Sequence, residues 1–353
     1  MKIAVYTVAL NEEKHVERWY ESVKDADYIL IADTGSTDKT IRIAKKLGVK
    51  VFNISVKPWR FDDSRNAALA LLPDDIDYCV SMDMDETMSE GWRENLEKMT
   101  ADQIDYMFHI NFRDEAETVP ATKMINNRIH KRHGFRWHYF MHEVVIPDVR
   151  IKDTFTKEFC EDLVVSHHPD PEKSREQYND MIEYAYKEYN DARYYIYHIL
   201  QLKSFGRNEE CIKVINEFIK SGLCVNQFEL SSLYRYLASC YISTNPEKVL
   251  RLLKKANKIF PESKEGLMDL ALYYFEKEKW HKCYKYAKQA VVLKKKPMSM
   301  FVGEYAWGYL PENLYFVSKF NRKLWKWSKS YDEKKRVIKP GTPIPHNFKL
   351  FED

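Results

Sequence analysis

The first 82 residues alternate short apolar runs with stretches of helical spacing, and this alternation constrains the fold more than any other feature of the chain. Residues 3–9, 28–32, 49–54 and 78–82 are β-rich apolar runs of strand length. Between them, residues 12–23 place Val16, Trp19, Tyr20 and Val23 at helical spacing. Residues 38–47 read as a second helix stopped by Gly48, and residues 63–72 as a third stopped by Pro73. Parallel strands need a crossover long enough to hold a helix, so βαβα alternation implies an open, mostly parallel sheet covered by helices. Ligands of such sheets bind at the carboxyl ends of the strands, which places the chemistry in the loops that follow them.

Asp83-Met84-Asp85-Glu86 follows the apolar run 78–82 and occupies such a loop. Two carboxylates at i and i+2 can converge on one hard divalent cation and leave room for a substrate's phosphates. Asp33 ends the second strand, ahead of a Gly35-Ser36-Thr37 turn whose Asp38 can cap the next helix. A carboxylate there can accept a hydrogen bond from a base N–H or a ribose hydroxyl. Arg65 follows Trp59-Arg60-Phe61-Asp62-Asp63-Ser64 and begins an apolar helix, so its fork of donors can point from the helix start toward a nucleotide. Asp63 or Ser64 is the expected helix cap.

From about residue 106 the pattern loosens into short strands rich in aromatics and histidines, closing with Leu163-Val164-Val165-Ser166-His167-His168-Pro169. Residues 172–335 are nearly all helical in composition. Ala238 and Ala271 are 33 residues apart, as are Tyr241 and Tyr274, and Ala256 and Ala290 are 34 apart. A helix pair of about 34 residues with small residues at the crossings resembles a tetratricopeptide repeat. The expected organisation is an α/β domain over residues 1–170, a helical-repeat domain over 171–338 and an extended tail over 339–353.

Composition excludes several classes. A formal charge of +3 gives no argument for a nucleic-acid partner, and no apolar stretch approaches the roughly 18 residues that a membrane helix needs. Six cysteines without C-x-x-C spacing point to free thiols in a reducing compartment, hence a cytoplasmic protein. Residues 1–10 lead into Asn11-Glu12-Glu13 without a small-residue cleavage site, and read as a first strand rather than a signal peptide.

Taken in order, Thr7-Val8-Ala9-Leu10-Asn11-Glu12-Glu13, the segment from Ile31 to Thr40, Arg65-Asn66, Asp83-Met84-Asp85-Glu86 and His142-Glu143 resemble what family 2 glycosyltransferases of the GT-A fold carry, over roughly residues 1–170. The resemblance implies a GT-A (Rossmann-like) domain that moves a hexose from a nucleoside-diphosphate sugar, UDP-linked, to an acceptor hydroxyl with inversion. It implies Thr7, Asp33, Arg65 and Asp83 at the nucleotide. Asp85, with Asp83, would hold Mn²⁺ or Mg²⁺, and a late histidine, His167 or His168, could supply a third ligand, with His168 the residue chosen. Inverting transfer also needs a base for the acceptor proton. Asp114, Glu115, Glu117 and Glu143 are the candidates, and Glu143 is chosen for its His-Glu pairing. The acceptor, whether glycan, peptide or lipid-linked sugar, is not legible, and the helical repeats offer a surface for a partner or a second copy.

Two rivals stand beside this reading. A nucleotidyltransferase would carry a glycine-rich basic loop after the first strand, where this chain has Asn11-Glu12-Glu13. A helical scaffold with an inactive first domain would have no physical need for Asp33, Arg65, Asp83 and Asp85 together.

Overall fold

The computed structural model describes residues 1–112, 120–148, 150, 154–170, 176–297 and 301–330. Asp114, Glu115, Glu117 and the tail 339–353 lie outside the described residues. The chain divides into two compact units, Met1–Met181 and Ile182–Asp353.

The first unit opens with β1 (Ile3–Ala9), α1 (Val16–Val23), β2 (Tyr28–Asp33), α2 (Thr40–Lys46), β3 (Lys50–Asn53), α3 (Phe61–Ala70) and β4 (Tyr78–Ser81). It continues with β5 (Glu86–Met88), α4 (Trp92–Glu97), β6 (Gln103–Phe112), β7 (Pro120–Lys131), β8 (Phe135–His138), β9 (Val144–Pro147) and β10 (Lys157–His167). One sheet takes the order β3-β2-β1-β4-β7-β6-β10-β5, and β8 pairs with β9 apart from it. β3, β2, β1 and β4 run parallel, as the alternation implies, while β7 is antiparallel to both β4 and β6. The chain steps outward from β1 to β2 and β3, then returns to place β4 on the other side of β1. That reversal opens a crevice at the carboxyl ends of β1 and β4.

Period-two alternation sends β1 into two cores. Ile3 and Val5 pack with Ile31, Val80, Trp19 and Trp92 on one face, and Ala4 and Tyr6 pack with Leu30, Ala32, Leu69 and Cys79 on the other. A parallel strand covered on both faces needs this continuous apolar run.

Three helix starts differ from the sequence reading. α2 begins at Thr40 rather than residue 38, with Lys39 as N-cap and Asp38 Oδ1 accepting from the Thr40 N–H (2.9 Å). α1 begins at Val16 rather than residue 12 because the preceding loop is tied to the β2–α2 loop. Glu12 N donates to Thr40 Oγ1 (2.7 Å), Glu13 N to Asp38 Oδ2 (3.0 Å), and Asn11 Oδ1 accepts from Thr37 N (2.8 Å). α3 begins at Phe61, so Asp63 and Ser64 lie inside its first turn and neither caps it; the N-cap is Arg60, without a side-chain bond. Asp62 and Asp63 instead place negative charge against the positive end of the helix dipole.

A buried polar chain crosses the second core. Trp137 Nε1 donates to Tyr6 Oη (2.7 Å), Tyr6 Oη lies 3.4 Å from His130 Nε2, and His130 Nδ1 lies 2.8 Å from the Lys131 carbonyl. The chain closes only with a neutral imidazole that donates from Nδ1 and accepts at Nε2. Burial lowers the His130 pKa to about 4. The unfolded chain, with a histidine near 6.5, therefore binds the extra proton between pH 6.5 and 4, so this contribution to stability is present above pH 6.5 and lost as pH falls. The shift corresponds to roughly 3 kcal/mol. Urea unfolding at pH 7.5 and pH 4.5 is expected to show a steeper acid loss for the wild type than for His130→Gln; parallel losses would contradict the assignment.

The second unit is helical. α5 (Glu176–Glu188) straddles the division, and α6 (Ala192–Ser204), α7 (Asn208–Ser221), α8 (Gln227–Cys240), α9 (Pro246–Ile259), α10 (Lys264–Glu276), α11 (Trp280–Val292) and α12 (Leu310–Ser330) follow. From α6 to α12, each helix packs on the next. Ala238, Ala256, Ala271 and Ala290, the alanines at repeat spacing, are all buried. Gly222 closes α7 at φ 75°, a left-handed conformation that favours glycine. All six cysteines are free thiols. Among the described residues no helix is long and apolar enough to cross a membrane.

Candidate active site

Asp33 is the last residue of β2 and is 1% exposed. Its Oδ2 accepts from the backbone N–H groups of Gly35 (2.9 Å) and Ser36 (3.0 Å), which fixes the carboxylate at the mouth of the turn. Its Oδ1 is buried and has no hydrogen-bond partner. A buried acceptor left open is costly unless a ligand's donor completes it. Thr7 lies within β1, fully buried, with Oγ1 turned to the Val8 carbonyl (3.3 Å).

Arg65, in α3, is the hub of the next group. Nε donates to Glu143 Oε1 (2.6 Å), Nη2 to Asp83 Oδ1 (2.6 Å) and Nη1 to Ser81 Oγ (3.2 Å), while the guanidinium lies 4.9 Å from the Trp137 ring centroid. Its neighbour Asn66 explains how Glu143 comes within reach. The Asn66 side chain donates to the Trp137 carbonyl and accepts from the Trp137 N–H, both at 2.9 Å, so one amide pins β8 to α3. The turn after β8 returns through Tyr139 and His142, both at positive φ (79° and 51°), and delivers Glu143 just before β9.

Asp83 stands between two guanidiniums, because Arg128 on β7 donates from Nη1 to Asp83 Oδ2 (2.9 Å) and to Glu86 Oε1 (3.2 Å). Burial pushes the Asp83 carboxyl up, but the charges of Arg65 and Arg128 outweigh it and hold the group far below the usual carboxylate range. Its side chain keeps 37% exposure, so solvent screens part of this effect. Glu86 is fully buried and accepts from the Asp83 N–H (2.9 Å). Burial raises its pKa; Arg128 opposes that, and the charges of Asp83 and Asp85 add to it.

Asp85 points to a different neighbour. Its Oδ2 lies 3.1 Å from His167 Nε2 at the end of β10. Burial alone would lower the His167 pKa, but the hydrogen bond and charge of Asp85, with Glu86 and Asp83 behind it, raise it. His168 presents its backbone N–H to the Asp85 carbonyl (2.7 Å) and its ring Nε2 to Thr87 Oγ1 (2.9 Å). The imidazole beside the Asp85 carboxylate is thus that of His167, whereas His168 was the residue chosen from the sequence.

Among the described residues no three His, Cys, Asp or Glu side chains form a closed metal cage. Asp83 has both oxygens engaged by arginines, which leaves Asp85 and His167 as a two-donor set. The carboxylate suits either Mn²⁺ or Mg²⁺ and the imidazole suits Mn²⁺ better than Mg²⁺, with the remaining ligands coming from water and a substrate's phosphates. The residues fit the ion on those terms.

Arg128 is the functional candidate that the sequence reading missed. Its inward position follows only from β7 lying beside β4, a pairing between segments that no local spacing announces.

The parallel strands, the buried open carboxylate and the charged cluster at the strand ends define an α/β sheet protein whose candidate site lies at the carboxyl ends of β1, β2 and β4. Residues 4–149, within the first unit, match the sequence profile of glycosyl transferase family 2. Curated relatives include an uncharacterized glycosyltransferase of Rickettsia bellii, 35% identical over 104 residues, covering 29% of this chain and 34% of that protein. One from Rickettsia typhi is 33% identical over 102 residues, covering 28% of this chain and 33% of that protein. The match spans about a third of the length of these curated relatives. Solved structures similar to the chain include Staphylococcus aureus TarS, 12% identical over 91% of this chain and 55% of that one, with a TM-score of 0.33. Another is glucosyl-3-phosphoglycerate synthase from Mycobacterium tuberculosis in complex with Mn²⁺, uridine diphosphate and phosphoglyceric acid. It is 23% identical over 33% of this chain and 44% of that one, with a TM-score of 0.25.

Proposed function

We propose that the chain is a glycosyltransferase that moves a hexose from a UDP-linked donor to an acceptor hydroxyl, with inversion and with help from Mn²⁺ or Mg²⁺. The observation that carries the reading is Asp33 Oδ1, a buried acceptor without a partner at the strand end where a base N–H or ribose hydroxyl would complete it. The family match of residues 4–149 supports the reaction class.

In this reading Thr7 lines the floor beneath the nucleotide, and Arg65 holds Asp83 and Glu143 in register with it. Asp85 and His167 are the residues that would hold the divalent ion. When bound, that ion supplies positive charge to the diphosphate as the glycosidic bond breaks. Glu143 is the assigned base. Its Oε1 is committed to Arg65, so Oε2 would take the proton as the acceptor oxygen bonds to the anomeric carbon. The free cysteines support a cytoplasmic setting, and the helix pairs from α6 to α11 support a tetratricopeptide-like domain over residues 171–338 that holds the acceptor or a partner.

The test is hydrolysis of a panel of nucleotide sugars without acceptor, in Mn²⁺, Mg²⁺ or EDTA. One donor turned over slowly, only with a metal, is the expected result. No turnover and no nucleotide-induced rise in melting temperature under any condition would refute the reading. Glu143→Gln is expected to lower kcat about 10²-fold or more with little change in KM, because glutamine can still accept from Arg65 but cannot take a proton.

A further inference from the structure

The formal charge of +3 conceals a strong asymmetry. Residues 182–353 hold 31 Lys and Arg against 19 Asp and Glu, a net of +12, while residues 1–181 hold 25 against 34, a net of −9. Within the basic unit, residues 279–303 contain seven lysines and no Asp or Glu. These residues supply α11, which packs on α12.

An open groove of about 510 Å³ between the two helices is lined by His281, Tyr284, Lys285, Lys288, Val292 and Arg322. Its aromatic floor continues from Tyr284 to Tyr315, stacked at 5.3 Å, and the Arg322 guanidinium lies 3.9 Å from the Tyr284 ring centroid. Lys282, Lys285, Lys288, Arg322 and Lys323 make no ion pair among the described residues, whereas Lys296 pairs with Glu304 (2.5 Å).

α12 turns a second kind of surface outward. Its packed side carries Leu310, Leu314 and Ser318. At about 100° per residue, the circuit from that side meets Tyr315 and Arg322 first, then Lys319 and Lys323, then Phe316 and Phe320, with Val317 beyond them. Phe316 is 61% exposed, Phe320 55% and Val317 42%, and Val292 on α11 is 68% exposed. Large apolar side chains grouped on one exposed face, edged by unpaired cations, mark a binding surface.

We infer that α12 docks on an anionic lipid bilayer, with Phe316 and Phe320 entering the interface and Lys319 and Lys323, which lie beside them on the circuit, meeting lipid phosphates. A helix with an apolar face edged by Lys and Arg lies in the plane of a membrane surface, and each basic residue adds electrostatic attraction to anionic lipid. A duplex nucleic acid would use the cations but offers no apolar phase for Phe316 and Phe320. A second copy meeting the same face would bring like charge against like charge.

The experiment is co-sedimentation of the full chain with phosphatidylcholine vesicles, with and without phosphatidylglycerol, at low and high salt. Binding is expected only with phosphatidylglycerol and is expected to weaken in high salt. Lys319→Ala/Lys323→Ala should lower the partition coefficient about 30-fold. Phe316→Ser/Phe320→Ser should lower it about tenfold or more, with the melting temperature and donor hydrolysis of both variants unchanged. Three outcomes would each overturn the inference. These are equal binding to neutral vesicles, no binding to any vesicle, and a Phe316→Ser/Phe320→Ser variant that binds lipid like the wild type but sediments as a smaller species.

Discussion

Asp85→Asn is expected to lower metal-stimulated donor turnover about 10³-fold, the scale on which losing one centre of transition-state charge stabilisation is felt. The substitution is chosen so that the fold survives it. Asparagine keeps an oxygen that can accept from His167 Nε2, and the Asp85 backbone, whose carbonyl accepts from His168, is untouched. What is lost is the negative charge, and with it the hard anionic donor that a divalent ion requires. Binding of the nucleotide without metal should be unchanged, because Asp33 and its turn are separate from the Asp85–His167 pair. Full turnover in Asp85→Asn with unaltered Mn²⁺ dependence would remove this carboxylate from the ion's ligands. A paired comparison then decides between the histidines. His167→Ala should raise the Mn²⁺ concentration needed for half-maximal rate, and the same shift in His168→Ala instead would assign the other ring.

Arg65→Met should cost the first unit about 3–5 kcal/mol of stability, the range for breaking a buried pair by removing one partner. Methionine keeps much of the volume against Trp137, so the loss reflects charge rather than a cavity. Glu143 is left with a 9% exposed carboxylate and no cation at Oε1, and Asp83 keeps only Arg128. Lysine should rescue little, because a point charge cannot serve acceptors at Nε, Nη1 and Nη2 at once. The measurement is the urea midpoint of Arg65→Met, Glu143→Gln and the double variant. A coupling energy of about 1 kcal/mol or more is expected for groups in direct contact. Additive losses would mean that the ion pair has no energetic weight in the fold.

Much of the first unit was legible because its signals are local. Alternating apolar runs and helix stops gave the parallel strands from β1 to β4, and the carboxylates that follow β2 and β4 fell where strand ends had to be. The helix starts were less legible. The N–H groups of residues 12 and 13 could not be known to bond a loop 25 or more residues away. The antiparallel half was legible only as scattered strands. β7 enters between β4 and β6, and nothing in its own spacing names those neighbours.

The division has a physical basis. The sequence by itself determined the parallel half-sheet, the placement of Asp33, Asp83 and Asp85 at its strand ends and of Arg65 near the start of a helix, and the change to helices beyond residue 170, since periodicity and turn chemistry act within a few residues. Only the tertiary structure decided the company those residues keep. Arg65 meets Glu143 across 78 residues, Arg128 meets Asp83 across 45, and Asp85 meets His167 rather than the ring of His168 across 82. It also decided that a chain of near-neutral total charge presents one strongly basic helical face. Such contacts form when the sheet and the helix stack close, and both are set by burial summed over many distant segments rather than by any short stretch of chain.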